Sequence, residues 1–174
     1  TMNPTWQSSF TVSAHFLHGM LHFVRTHHGK TLVTQVLATA AIPQSLLRQR
    51  EARLTRQQYV ALYRAVAATI DDEMLGLWSR PIRTGTLKYL MLSLLDAPTV
   101  LVALNRFVRF WNLLLDDYRL QLSTKNNLVR LALVERTPGT KVAPLGHELM
   151  MKLSHGIASW LLGREISLHR VEFK

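Results

Sequence analysis

Apolar residues recur at helical spacing along most of the chain, and the period changes to two only near residue 118. The stretch AHFLHGMLHFVRTHH, residues 14–28, predicts an apolar helix ended by Gly29. TLVTQVLATAA predicts a second, short helix stopped at Ile42-Pro43, because the residue before a proline disfavours helical backbone. The next start is sharply marked. In LTRQQYVALYRAVAATI, Thr55 and Gln58 have the spacing of a capping box, and Leu54 and Tyr59 that of a hydrophobic staple. Tyr59, Leu62, Tyr63, Val66 and Ile70 then share one helical face. Asp71 and Asp72 follow at the end, where the helix dipole disfavours carboxylates, and they read as the turn out of the helix. SRPIRTG reads as a loop punctuated by Pro81 and Gly85. TLKYLMLSLLDAP and TVLVALNRFVRFWNLLLDD predict two more helices, the first broken at Asp96-Ala97-Pro98. On the second, Asn105, Arg106, Arg109 and Asn112 form one polar side of an otherwise wide apolar stripe, as expected of a helix packed in the middle of a domain.

In YRLQLSTKNNLVRLALVE, Tyr118, Leu120 and Leu122 alternate with Arg119, Gln121 and Ser123. Beyond Lys125-Asn126-Asn127, Val129, Leu131 and Leu133 alternate with Arg130 and Ala132. This pattern predicts an antiparallel hairpin over 118–134 with one wet face. TPGTKVAPLG reads as a loop. LGHELMMKLSHGIASWLLG predicts a last helix, with Leu149, Met150, Leu153, Ile157, Trp160 and Leu161 as its core face and Gly163 as its stop. ISLHRVEF predicts a strand over 166–173 that joins the hairpin's sheet. The expected class is α+β: a mostly helical single domain, residues 14–174, with a small antiparallel sheet, preceded by a tail over 1–13. Thr1, ahead of Met2, reads as an added residue.

Composition narrows the function classes. Cysteine is absent, which excludes disulfides, thiolate zinc sites and cysteine nucleophiles. TMNPTWQSSF lacks the basic start and apolar core of a signal peptide. No apolar run approaches the roughly 20 residues a membrane helix needs, so no membrane partner is expected and a cytoplasmic location is. Lys and Arg number 21 against 11 Asp and Glu, a net charge of +10, which favours nucleic acid, anionic ligands or acidic surfaces as partners. The densest basic run, Arg48, Arg50, Arg53 and Arg56, is relieved by Glu51 and reads as a solvated loop and helix start. GxSxG, HExxH and Gly-rich phosphate loops are absent. The pairs Asp71-Asp72 and Asp116-Asp117 are adjacent in sequence, so they do not face each other as an acid and a base. The chain does not read as an enzyme, and no cofactor is expected.

Candidate ligand contacts come from three places. Trp78, Arg80 and Arg83 lie in one loop, where arginine suits carboxylate or phosphate capture. The same residues also suit a packed tryptophan beside surface arginines. Trp111 and Asn112 lie mid-helix. His147, Met151 and His155, with Ser154, Ala158 and Leu162, form a semi-polar second face of the last helix, the mix of a pocket wall or of a helix edge at solvent. His15, His18 and His22 fall at i, i+3 and i+7, close to one face. They could ligate a metal, but no carboxylate or thiolate accompanies them, so no metal site is assigned.

The run DDEMLGLWSRPIRTGTLKYLMLSLLDAPTVLVALNRFVRFWNLLLDDYRLQL, followed by the closing GHELMMKLSHGIASWLLGREISLHRVEF, resembles the N-terminal effector-binding, "arabinose-binding"-type domain of AraC-type transcription regulators. The likeness is to the branch that includes ornithine-utilisation-type regulators, and it extends from about Ala14 to Phe173. It rests on an ensemble of segments rather than on one motif. The resemblance implies a small-molecule effector, anionic if the arginines serve it, and a homodimer. It also implies DNA contact through a C-terminal domain of two helix-turn-helix units that this chain does not contain. The other readings are a stand-alone basic nucleic-acid-binding module and a small His-rich metal-binding protein.

Overall fold

Thr55 and Gln58 form the predicted capping box. In the computed structural model of the chain, which describes residues 14–49, 51, 53–139, 142 and 144–163, the Gln58 amide donates to Thr55 Oγ1 at 3.2 Å. The Thr55 amide donates to Gln58 Oε1 at 3.0 Å. Two orphan donors at the start of a helix are thereby satisfied. The architecture is α+β and mostly helical. The chain divides into two compact units, residues 1–69 and residues 70–174.

The first unit holds α1 (Ala14–His28), α2 (Lys30–Thr39), a 3-10 helix (Gln44–Arg48) and α3 (Arg56–Ile70). Gly29, at φ 88°, separates α1 from α2, a conformation that costs glycine least. α1 buries Phe16, Leu17, Met20, Leu21 and Val24, and α2 buries Val33, Val36 and Leu37, the spacing of one helical face in each case. Phe16 meets Tyr59 of α3 edge-on, with ring centroids 6.0 Å apart. Burial pushes the Tyr59 hydroxyl up to about 12.

The second unit holds α4 (Thr86–Leu95), α5 (Val100–Leu114), β1 (Tyr118–Lys125), β2 (Leu128–Glu135) and α6 (Pro144–Leu162). Thr99 caps α5, its Oγ1 accepting from the Val102 amide at 3.2 Å. β1 and β2 pair antiparallel, with Tyr118 opposite Glu135 and Lys125 opposite Leu128. The turn residues Asn126 and Asn127 have φ 51° and 61°, the paired left-handed geometry that suits a two-residue hairpin loop. α5 packs on β1 and touches α4 and α6, so it is the central helix of this unit. Its buried residues are Ala103, Phe107, Val108 and Trp111.

Three features depart from the sequence pattern. The apolar stripe of α5 is wider than its buried face: Leu113 is 80% exposed and Leu101 44%. Trp160, expected in the core of α6, is exposed, while Ser154, expected on the second face, is buried and donates from Oγ to the Met150 carbonyl at 2.7 Å. The hairpin is buried on one face only at its base, through Tyr118 and Leu120. Beyond Leu122 both faces of β1 are exposed, and Leu128 and Val129 of β2 are exposed as well. The strand expected at 166–173 and the tail at 1–13 lie outside the described residues.

Candidate functional site

The loop between α3 and α4 is organised by its acidic residues. Asp72, only 4% exposed, accepts from three backbone amides. Its Oδ1 takes those of Met74 at 2.9 Å and Ile82 at 3.0 Å, and its Oδ2 that of Gly76 at 2.8 Å. Asp71 Oδ1 accepts from the Thr84 amide at 3.1 Å, and Glu73 Oε1 from the Leu87 amide at 3.0 Å. Asp117 accepts from the Ser79 amide at 3.1 Å and from the Ser79 hydroxyl. Asp116 pairs with the Arg80 guanidinium at 2.8 Å, with both side chains about half exposed. Carboxylates that accept several amide bonds fix backbone geometry more firmly than neutral acceptors. The loop is therefore held along its length.

What it presents is Trp78. The indole is buried and stands edge-on to Tyr118, with centroids 5.5 Å apart and planes at 87°. His147, in the first turns of α6, completes the cluster at 5.0 Å from Tyr118 and 6.1 Å from Trp78. Edge-to-face contacts at these distances are favourable. Gly146 permits the approach of α6, because a Cβ there would lie 2.8 Å from Val142 Cγ1 and 3.3 Å from Leu77 Cβ. Tyr118 is set by its strand. The Asn112 amide donates to the Leu120 carbonyl at 2.9 Å and accepts from the Leu120 amide at 2.7 Å. Arg136 donates to the carbonyls of Tyr118 and Asn112 at 3.1 and 2.7 Å.

The cluster holds polar atoms without partners. Trp78 Nε1 and His147 Nε2 are both buried and have no hydrogen-bond partner among the described residues, a cost that a structure usually avoids. Glu135 Oε1 accepts from the Tyr118 hydroxyl at 3.4 Å. Burial, and then the charge and hydrogen bond of Glu135, push the Tyr118 hydroxyl up. Burial pulls the His147 imidazole down, opposed in part by the Glu135 charge. The neutral ring is thus the favoured form at neutral pH, with one ring nitrogen able to donate and the other to accept.

The direction of the His147 shift predicts a pH dependence. The unfolded chain takes up this proton near pH 6.5, and the folded chain only at lower pH. The stability contributed by the neutral ring is therefore complete above about pH 6.5, and it is lost as the pH falls through the folded value. Urea midpoints recorded by tryptophan fluorescence should fall between neutral and mildly acidic pH. His147→Phe should flatten that part of the profile, and an unchanged slope in the variant would assign the effect to another group.

The other expected contacts are dispersed. Trp111 is fully buried beside Phe107 and Phe110, its Nε1 also unpartnered. Both ends of the Asn112 amide are occupied by Leu120. Arg83 is exposed, and its carbonyl, not its guanidinium, bonds to Thr86. Met151 and His155 are half-buried on α6. The structure brings Trp78 and His147 together. It adds Tyr118, which the sequence placed on a strand face, and Glu135, one residue beyond the hairpin expected over 118–134. Among the described residues, no three of His, Cys, Asp and Glu come together in a way that could hold a metal ion, and no helix is long and apolar enough to cross a membrane.

Residues 33–174 match the family described as the arabinose-binding domain of AraC transcription regulators, N-terminal. The chain belongs to this family. Its members are regulatory ligand-binding domains, and the match takes in the whole second unit and about half of the first. No curated protein and no solved structure gives a significant match.

Proposed function

We propose that this chain is the ligand-sensing and dimerisation part of an AraC-type transcription regulator, working in the cytoplasm and controlling an attached helix-turn-helix domain that contacts DNA. The observation that carries this reading is the family match over residues 33–174. The effector site is centred on Trp78, Tyr118 and His147. Two unpartnered buried polar atoms among aromatic rings would give a small molecule that opens the cluster both a hydrogen-bond donor and an acceptor in a water-poor setting. Arg80, two residues from Trp78 in the same loop, is the candidate for its periphery. Arg80 can release its exposed pairing with Asp116 at little cost. Effector binding would bias one arrangement of the domain, and DNA would alter effector affinity by the same factor.

A thermal-shift screen of the chain with arabinose, amino acids and organic acids tests this reading. A ligand present at about a hundred times its Kd stabilises the folded form by about 2.7 kcal/mol, so a genuine effector gives a large saturable shift. Trp78→Phe and His147→Phe should abolish that shift. A screen with no such compound, or a shift that both variants keep, would count against the site.

The dimer reading rests on α4. Tyr89, Leu92 and Leu95, three residues apart, are 71%, 51% and 61% exposed. Exposed apolar side chains aligned on one helix face mark an interaction surface. Leu92→Glu combined with Leu95→Glu should shift the chain to monomer in sedimentation velocity with its circular dichroism unchanged. A variant that sediments like the parent would remove α4 from the interface.

A further inference from the structure

The first unit carries a groove for which the sensor reading assigns no role. It opens between α1, α2 and the 3-10 helix and has a volume of about 640 Å³, within the range of small-molecule sites. Its floor is apolar: Leu21, Val33 and Leu37 line it, each no more than 5% exposed. Its rim is basic. Arg25, Lys30 and Arg48 line it together with His18 and His22, and no Asp or Glu among the described residues does. Arg80 and Arg106 of the second unit each pair with a carboxylate. The three rim cations have no such partner among the described residues. Like charges gathered around one concavity repel one another, and the low-dielectric floor strengthens that repulsion. An anion seated among them relieves it. Five of the lining residues, Arg25 and Lys30 among them, precede residue 33, where the family match begins.

We infer that this groove binds a small organic anion, whose apolar body lies on Leu21, Val33 and Leu37 and whose carboxylate or phosphate head is held by Arg25, Lys30 and Arg48. A nucleic-acid duplex is the less fitting occupant. Phosphate contacts need only charge, and a concave apolar floor gives a duplex nothing. The site lies in the first unit and stands or falls separately from the Trp78 cluster.

The test is isothermal titration of the whole chain with naphthoate, naphthyl phosphate and the uncharged naphthylmethanol, with inorganic phosphate as the head alone. At least one of the two aromatic anions should bind, and the alcohol and inorganic phosphate should each bind roughly tenfold or more weakly. A tighter carboxylate assigns a carboxylate head, and a tighter ester assigns a phosphate head. Arg25→Gln combined with Arg48→Gln should weaken the better anion by roughly tenfold or more. Both side chains are exposed, so the melting temperature should not move, and Lys30→Gln supplies an independent variant. Equal binding of the alcohol and the anions, undiminished binding by the variants, or no binding by either aromatic anion would overturn the inference. If neither anion bound and a short DNA duplex did, in a salt-dependent manner lost in the same variants, the rim would be a phosphate-backbone surface instead.

Discussion

Asp72→Ala should destabilise the second unit by about 3 kcal/mol or more. The carboxylate is buried and accepts from the amides of Met74, Gly76 and Ile82. Hydrogen bonds to a charged acceptor contribute about 1.5–3 kcal/mol each, and a buried donor left unsatisfied costs about 1–3 kcal/mol. The three are not additive, because the loop can relax once its anchor is gone. Asp72→Asn keeps one carbonyl acceptor and should lie between parent and alanine variant. Asp96→Ala is the control. Its pairing with Arg106 is largely exposed, and such pairs are worth under about 1 kcal/mol. Denaturant unfolding followed by tryptophan fluorescence and circular dichroism gives all three values. A cost for Asp72→Ala as small as that for Asp96→Ala would mean that the loop does not depend on this carboxylate. The same loop carries Trp78, so a large loss should be accompanied by a changed environment for that indole.

Trp111→Ala should cost about 3–5 kcal/mol, the range for deleting a large buried aromatic side chain and leaving a cavity. Trp111 is fully buried on the central helix between Phe107 and Phe110. Trp111→Phe should cost far less, about 1–2 kcal/mol. Part of the volume remains, and the Nε1 donor that is lost has no acceptor to leave behind. A phenylalanine variant as damaged as the alanine variant would show that the indole nitrogen has a partner in solution. The comparison is read from chemical unfolding midpoints at fixed pH, with the hairpin signal in the far ultraviolet as the second probe.

Local chemistry was legible in the sequence wherever a residue type and a spacing together imply one geometry. The Thr55–Gln58 box, the Asn126-Asn127 turn and the break at Gly29 all have their partners within a few residues. The acidic residues show the opposite case. Asp71 and Asp72 at the end of α3 read as an ordinary turn. Their partners, however, come from Gly76, Ile82 and Thr84, which the loop brings back onto the helix end. Asp116 and Asp117 likewise engage Arg80 and Ser79 across more than thirty positions, and no local pattern encodes that. Apolar periodicity was readable as helix but not as burial. Leu92 and Leu95 in the apolar run of α4 and Leu113 in the wide stripe of α5 are exposed, because an apolar stripe does not say whether its cover is intramolecular. Of the candidate site, Trp78 and His147 were legible as a tryptophan in a polar loop and a histidine on a semi-polar face. Tyr118 and Glu135 were not, since their roles depend on the hairpin register that sets them opposite each other.

The reading of this chain as the sensor part of a regulator is tested most directly by the coding sequence beyond the codon for Lys174. It should continue for about a hundred residues, a domain's length, with two helix-turn-helix patterns, one of them able to present basic and polar side chains to a major groove. A stop codon directly after Lys174 would contradict it, leaving a domain of this family that acts without a DNA-binding half of its own.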